Sequence, residues 1–169
     1  MKNIGLIGCG NIAETYFRAQ DYFNNIKFIA CADKFPEASK KCAHKYKIKF
    51  LSVDEILNDT DVDIILNLTI PQAHFEVSKL ALEAGKHVYS EKPMSITYDQ
   101  AKELLELANK KNLYFGNAPD TFLGGGGQVA RQFVDKGEIG QILTGNFIFA
   151  FPGVQEFHPN PESWFQSGG

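Results

Sequence analysis

At 169 residues and 44% hydrophobic content the chain can build one well-cored domain and part of a second, which excludes disorder as its main state. The formal net charge is −3, and the 17 Lys and Arg residues are scattered along the chain, so no basic stripe announces a nucleic-acid partner. No apolar run reaches the roughly 18 residues a membrane helix needs, and no membrane partner is expected.

The chain opens with Lys2 ahead of an apolar run, residues 4–7, that is too short for a signal core and reads as part of a buried first strand over 3–7. Further short runs rich in β-branched residues fall at 27–32, 62–68, 87–90 and 113–116, with a weaker one near Phe50. Helical periodicity lies between them: Val77, Leu80, Ala81 and Ala84 form one apolar stripe, and Ala101, Leu104, Leu105 and Ala108 another. Gly85 stands where the first of these helices should end, and Ser95 or Thr97 can cap the second. Strand and helix in alternation predict an α/β fold, a doubly wound parallel sheet with helices on both faces, over residues 1–120.

After Gly116 the texture changes. Four glycines, Gly124 to Gly127, precede a predicted helix over 128–135, and residues 141–151 read as a long strand of another sheet. Residues 121–169 are therefore expected to begin a second, α+β domain. The glycine run lacks the Lys-Ser/Thr of a triphosphate loop, so close backbone packing or a hinge is the better reading. The three cysteines, Cys9, Cys31 and Cys42, show neither C-x-x-C spacing nor a zinc pattern with histidine. No metal site is expected, and a reduced, cytoplasmic compartment is the simplest inference.

One motif carries chemistry of its own. Residues 4–13 read strand, then G-x-G-x-x-A (Gly8, Cys9, Gly10, Asn11, Ile12, Ala13), then helix. Gly8 permits the tight turn, Gly10 lets a pyrophosphate approach the backbone, and Ala13 allows close packing of helix on strand. The helix start offers N–H groups to phosphate. Asp33 follows the second strand 20 residues after Ala13, where an acid holds the adenosine ribose hydroxyls. This is the dinucleotide fingerprint of a Rossmann domain. A carboxylate there repels a 2′-phosphate and favours NAD; Lys34, the next residue, keeps NADP open. A glycine turn in a domain that binds something else is the plainer alternative.

Ligands of an open parallel sheet sit outside the carboxyl ends of its strands, which directs attention to the loops 67–74 and 90–93. With the G-C-G-N-I-A turn, the T-I-P-x-x-H loop from Thr69 to His74, the A-G-K-H-V-Y-S-E-K-P stretch ending at Pro93 and the D-K-G-E-I-G run at 135–140, the chain resembles the N-terminal part of the Gfo/Idh/MocA family. The resemblance implies an NAD(P)-dependent oxidoreductase acting on a sugar, cyclitol or similar polyol. It gives Lys92 a catalytic role between nicotinamide ribose and substrate hydroxyl, and it implies that the bond to Pro93 is often cis. Glu91 is expected to orient the loop. By the same analogy Thr69 and Pro71 line the cofactor groove, and Asn117 approaches the nicotinamide side. His74 is either a part of this site or a structural histidine near a helix start.

Where the resemblance implies an Arg after Asn117, the chain has Ala118 to Phe122, with Asp120 as a substrate contact or a turn residue. His158 and Trp164 belong to a substrate-side loop or to an aromatic core. The resemblance also places an Asp and an acid-base His on a helix after a glycine-rich stretch, which begins here at Gly168 and Gly169. None of His44, His74, His87 and His158 matches that position, so the chain is expected to bind cofactor with little turnover. An unpaired strand at 141–151 would invite association, and a homo-oligomer is expected. A non-catalytic dinucleotide-binding or redox-sensing module is the competing reading.

Overall fold

The computed structural model describes residues 1–119, 121–148 and 150. The backbone divides into two compact units, Met1–Ala118 and Pro119–Gly169.

The first unit alternates strand and helix: β1 (Lys2–Ile7), α1 (Ala13–Ala19), β2 (Ile26–Ala32), α2 (Pro36–Tyr46), β3 (Lys49–Phe50), α3 (Val53–Asn58), β4 (Ile64–Asn67), α4 (Pro71–Glu83), β5 (His87–Ser90), α5 (Tyr98–Lys110) and β6 (Phe115–Asn117). The strands form one sheet in the order β3-β2-β1-β4-β5-β6, and every pairing is parallel. From the centre β1, β2 and β3 follow one another in one direction and β4, β5 and β6 in the other, which opens a crevice at the β1/β4 switch point.

Period-two alternation sorts the strand residues onto two faces. Ile7, Ala30, Ala32, Ile65 and Val88 pack with Ile56, Ala81, Leu82, Leu104 and Ala108 of α3, α4 and α5. Ile4, Leu6, Cys31 and Leu66 pack on the other face with Ala13, Phe17, Cys42 and Ala43 of α1 and α2. Both faces are thereby covered, as a parallel sheet requires. A register shift between Ile4 and Gly5 interrupts the β1–β2 ladder.

Local chemistry accounts for the boundaries. Ser52 starts α3 with a reciprocal capping box to Glu55, and the Thr97 side chain, not that of Ser95, accepts the Gln100 amide at the start of α5. Gly85 has φ +78° just beyond α4, the left-handed position that ends many helices. The sixth strand starts at Phe115 rather than Leu113, because the Leu113 amide is committed to the Ala108 carbonyl in closing α5. The apolar stripe of α4 is rotated from its expected position: Leu80 is 38% exposed, whereas His74 and Ser78 are buried. Those two polar residues have hydrogen-bond partners, and hydrophobicity alone does not reveal them.

In the second unit a short 3-10 turn (Thr121–Leu123) leads into α6 (Gly125–Asp135). The helix begins three residues ahead of the expected start, absorbing Gly125, Gly126 and Gly127 into its first turn. A Cβ on Gly127 would lie 2.9 Å from the Phe122 carbonyl oxygen, so the run serves close backbone packing. The strand expected over 141–151 is not formed at residues 141–148 or 150; alternation supplies the face of a strand but not the neighbour that completes its ladder. Asp120, His158 and Trp164 lie outside the described residues.

Candidate functional site

The sheet register lines up one row of strand ends. Ala32 pairs with Ile7, Ile7 with Asn67, Asn67 with Ser90, and Ser90 with Asn117. The residues that follow, Gly8, Asp33, Thr69, Glu91 and Lys92, therefore emerge at one edge. Sequence separations of tens of residues collapse into adjacent strand tips.

Gly8 turns the chain at φ +103°, and a Cβ there would come within 2.5 Å of the Leu68 carbonyl. Only glycine satisfies both the dihedral and the space. Gly10, two residues on, is exposed and would carry a Cβ into open space, with nothing within 4 Å. The first glycine is thus required by the fold, while the second keeps a face of backbone bare. Asn11 and Ile12 are also exposed, and no side chain caps the start of α1. Ala13 is buried against the sheet, as close packing demands.

Asp33 faces back toward this turn. One carboxylate oxygen accepts the Cys9 amide at 2.7 Å and the other the Phe35 amide at 2.8 Å. The carboxylate thus stands beside the glycine turn, part-exposed, with Lys34 exposed next to it. A bare glycine backbone, an uncapped helix start and an acid one strand over suit a dinucleotide: pyrophosphate on the amides, ribose hydroxyls on the carboxylate.

The other bank of the crevice is tied together by two residues. Asn67, fully buried at the end of β4, donates its amide to the His74 carbonyl and the Ser78 hydroxyl, and accepts from the Thr69 amide and hydroxyl. His74 is 1% exposed, with Nε2 2.9 Å from the Thr69 carbonyl and Nδ1 in hydrogen-bond contact with that of Pro93. Each ring nitrogen faces a backbone oxygen, so His74 acts on the site through the two loops it joins. Pro71 is buried at the first turn of α4.

Glu91 has both carboxylate oxygens engaged, one by the Tyr16 hydroxyl at 2.7 Å and the other by the Lys92 amide at 3.0 Å. It holds its own loop against α1. Asn117 donates to the carbonyls of Ser90 and Glu91, bracing the same loop from β6. The Lys92–Pro93 peptide is cis. Lys92 is exposed, and its ammonium has no protein partner among the described residues. Sequence reasoning missed Asn67 and Tyr16; a polar residue in an apolar strand end was the signal for Asn67, and none existed for Tyr16.

Comparison with known proteins bears on the family and the fold. A family model described as an oxidoreductase family with an NAD-binding Rossmann fold matches residues 2–118. The uncharacterized oxidoreductase YhhX of Escherichia coli is 40% identical over 91 residues, covering 54% of this chain and 26% of that protein. Inositol 2-dehydrogenase of Rhizobium meliloti is 25% identical over 142 residues, covering 82% of this chain and 42% of the enzyme. Among solved structures, KijD10, a 3-ketoreductase from Actinomadura kijaniata in complex with NADP and TDP-benzene, superposes with a TM-score of 0.73 at 25% identity, covering 80% of this chain and 42% of the other. The chain spans less than half the length of these relatives. No described helix is long and apolar enough to cross a membrane.

Proposed function

The chain belongs to the Gfo/Idh/MocA oxidoreductase family, and from that membership we propose that it provides the cofactor side of an NAD(P)-dependent oxidoreductase acting at a hydroxyl carbon of a sugar, cyclitol or related polyol. The carrying observation is the open backbone face at Gly10 with the Asp33 carboxylate beside the same turn. A bound nicotinamide would supply the hydride acceptor or donor. Gly10, Asn11 and Ile12 would receive the pyrophosphate on backbone amides, with Cys9 at the floor of the turn, while Thr69 and Pro71 would line the opposite bank.

Asp33 would hold the ribose hydroxyls and repel a 2′-phosphate, which makes NAD the proposed cofactor; Lys34 alongside would offset part of that repulsion for NADP. Lys92 would place its ammonium against the substrate oxygen, stabilising negative charge as the hydroxyl loses its proton. Glu91 and Asn117 would position that lysine by fixing its loop at both ends, and His74 would fix the same loop from below. The substrate class follows the inositol dehydrogenase and the 3-ketoreductase to which the chain is similar.

Titration with NADH and NADPH, followed by nicotinamide fluorescence, tests the cofactor reading. Saturable binding, tighter for NADH and weakened by Gly10→Ala, is expected. A folded protein that leaves both fluorescence signals unchanged would refute it. A panel of sugars and cyclitols with NAD, read by nicotinamide absorbance, tests the reaction, with Lys92→Met expected to abolish any turnover found.

A further inference from the structure

Three sulfurs from separate elements converge beneath the glycine turn. Cys9 follows β1, Cys31 lies in β2 and Cys42 in α2, and their Sγ atoms all lie within 4.8 Å of one another. All three are free thiols; Cys31 and Cys42 are buried and Cys9 is partly exposed. Cys9 Sγ lies 3.6 Å from the Ala32 carbonyl and Cys31 Sγ 3.4 Å from that of Ser39, contacts that only a weak S–H donor makes. The sulfurs also perturb one another. The neighbouring sulfurs of Cys31 and then Cys9 pull the Cys42 thiol below its usual range, with the Lys45 charge acting in the same direction. Cys9 is pushed up, first by Cys31 and then by Cys42, and Cys31 is pushed up chiefly by Cys42, with the Asp33 charge acting in the same direction.

We propose that Cys9, Cys31 and Cys42 form a three-sulfur site for a divalent thiophilic cation of the zinc class. Soft thiolates select such ions over magnesium or calcium. An ion bonded at about 2.3 Å to each sulfur sets them about 4 Å apart, so the cluster needs to contract by less than about 1 Å from its widest separation. Charge decides between a divalent and a monovalent ion. Three thiolates around a divalent ion leave one negative charge, facing Lys45; Glu14, which pairs with Lys45, is shared with Arg18, so those three side chains keep one net positive charge. A monovalent ion would leave two negative charges beside Asp33. The fourth position of a tetrahedral ion would open on the exposed side of Cys9.

The binding step balances without an oxidant or reductant. The divalent ion forms three metal–sulfur bonds, and the proton of each sulfur that was still a thiol passes to solvent. Affinity therefore rises with pH. The site shares Cys9 with the glycine turn, but its test reads the sulfurs directly and stands whether or not a dinucleotide binds.

The test uses the full chain, reduced with a phosphine and stripped with a chelator, titrated with Cd²⁺ while the sulfur-to-cadmium charge-transfer absorbance is followed. One ion per chain is expected, with release of protons, displacement by Zn²⁺, and an unfolding midpoint that climbs with ion concentration. Cys9→Ala and Cys42→Ala should each lose the band or weaken binding at least tenfold. Cys9→Ala removes the least buried sulfur and so spares the core, and circular dichroism verifies that each variant is folded. No band in the folded, reduced protein would mean that the sulfurs are packing residues, and an unchanged band in folded Cys9→Ala would place the ion elsewhere; either overturns the proposal.

Discussion

Gly8 and Gly10 stand two residues apart in one turn, yet the structure assigns them opposite vulnerabilities. At Gly8, alanine would have to hold φ +103° and set its methyl 2.5 Å from the Leu68 carbonyl. Backbone strain of that kind costs about 1–3 kcal/mol, and the collision adds a shift of β4, giving about 2–4 kcal/mol in all. For a unit of this size such a loss lowers the unfolding midpoint by about 10 °C. Alanine at Gly10 meets nothing within 4 Å and costs the apo fold nothing comparable. Its methyl would instead occupy the face where phosphate must approach the amides. Losing one charge-assisted hydrogen bond, worth about 1.5–3 kcal/mol, weakens NADH binding by about 10- to 150-fold. Thermal unfolding of the apo protein and a fluorescence titration measure the two effects separately. If Gly10→Ala destabilises as much as Gly8→Ala, or binds NADH as the parent does, the division of labour is wrong.

Other perturbations follow from the same contacts. Asn67→Asp keeps the shape but turns a carboxylate onto the His74 carbonyl and Ser78 hydroxyl at a fully buried site; denaturant unfolding should show a loss of about 3 kcal/mol or more. Asp33→Ala should raise the Kd for NADH about tenfold or more and leave that for NADPH equal or lower; an unchanged ratio of the two constants would speak against the ribose role. Asp63 is held below the ordinary carboxylate value of 3.8, first by the Asn3 amide and then by the Lys2 ammonium. A depressed folded value contributes stability that is present above the unfolded value and lost as pH falls through the folded one. Asp63→Asn should therefore lower stability at neutral pH and flatten the decline below about pH 4, as seen in midpoints measured across that range.

The sheet was legible because its signals are local. β-branched runs and the turn glycines lie within a few residues of the backbone they shape, and β5 fell at His87–Ser90 as expected. Errors arose where a hydrogen-bond partner, near or distant, overrides the pattern of the side chains. Val62 reads as strand and is buried, yet its amide closes a turn on the Asp59 carbonyl, so β4 begins at Ile64. His74 and Ser78 look like polar interruptions of a helix stripe until Asn67, Thr69 and Pro93 supply their bonds. The cysteine cluster was illegible because no spacing rule relates positions 9, 31 and 42 until β1, β2 and α2 pack together. Of the crevice, the glycines, Asp33 and the Lys92 loop could be read from the chain, whereas the struts beneath them could not.

Those struts couple two loops that the sequence presents as separate. Through His74 the Thr69 segment and the Pro93 segment share one buried ring, and through Asn117 the second is bolted to β6. Freeing either loop means abandoning contacts that also serve the other, so the bank rises and settles as one plate. Amide protons around Thr69 and Lys92 should consequently exchange with solvent at matched rates, and a ligand gripping one lip will quieten its neighbour without touching it.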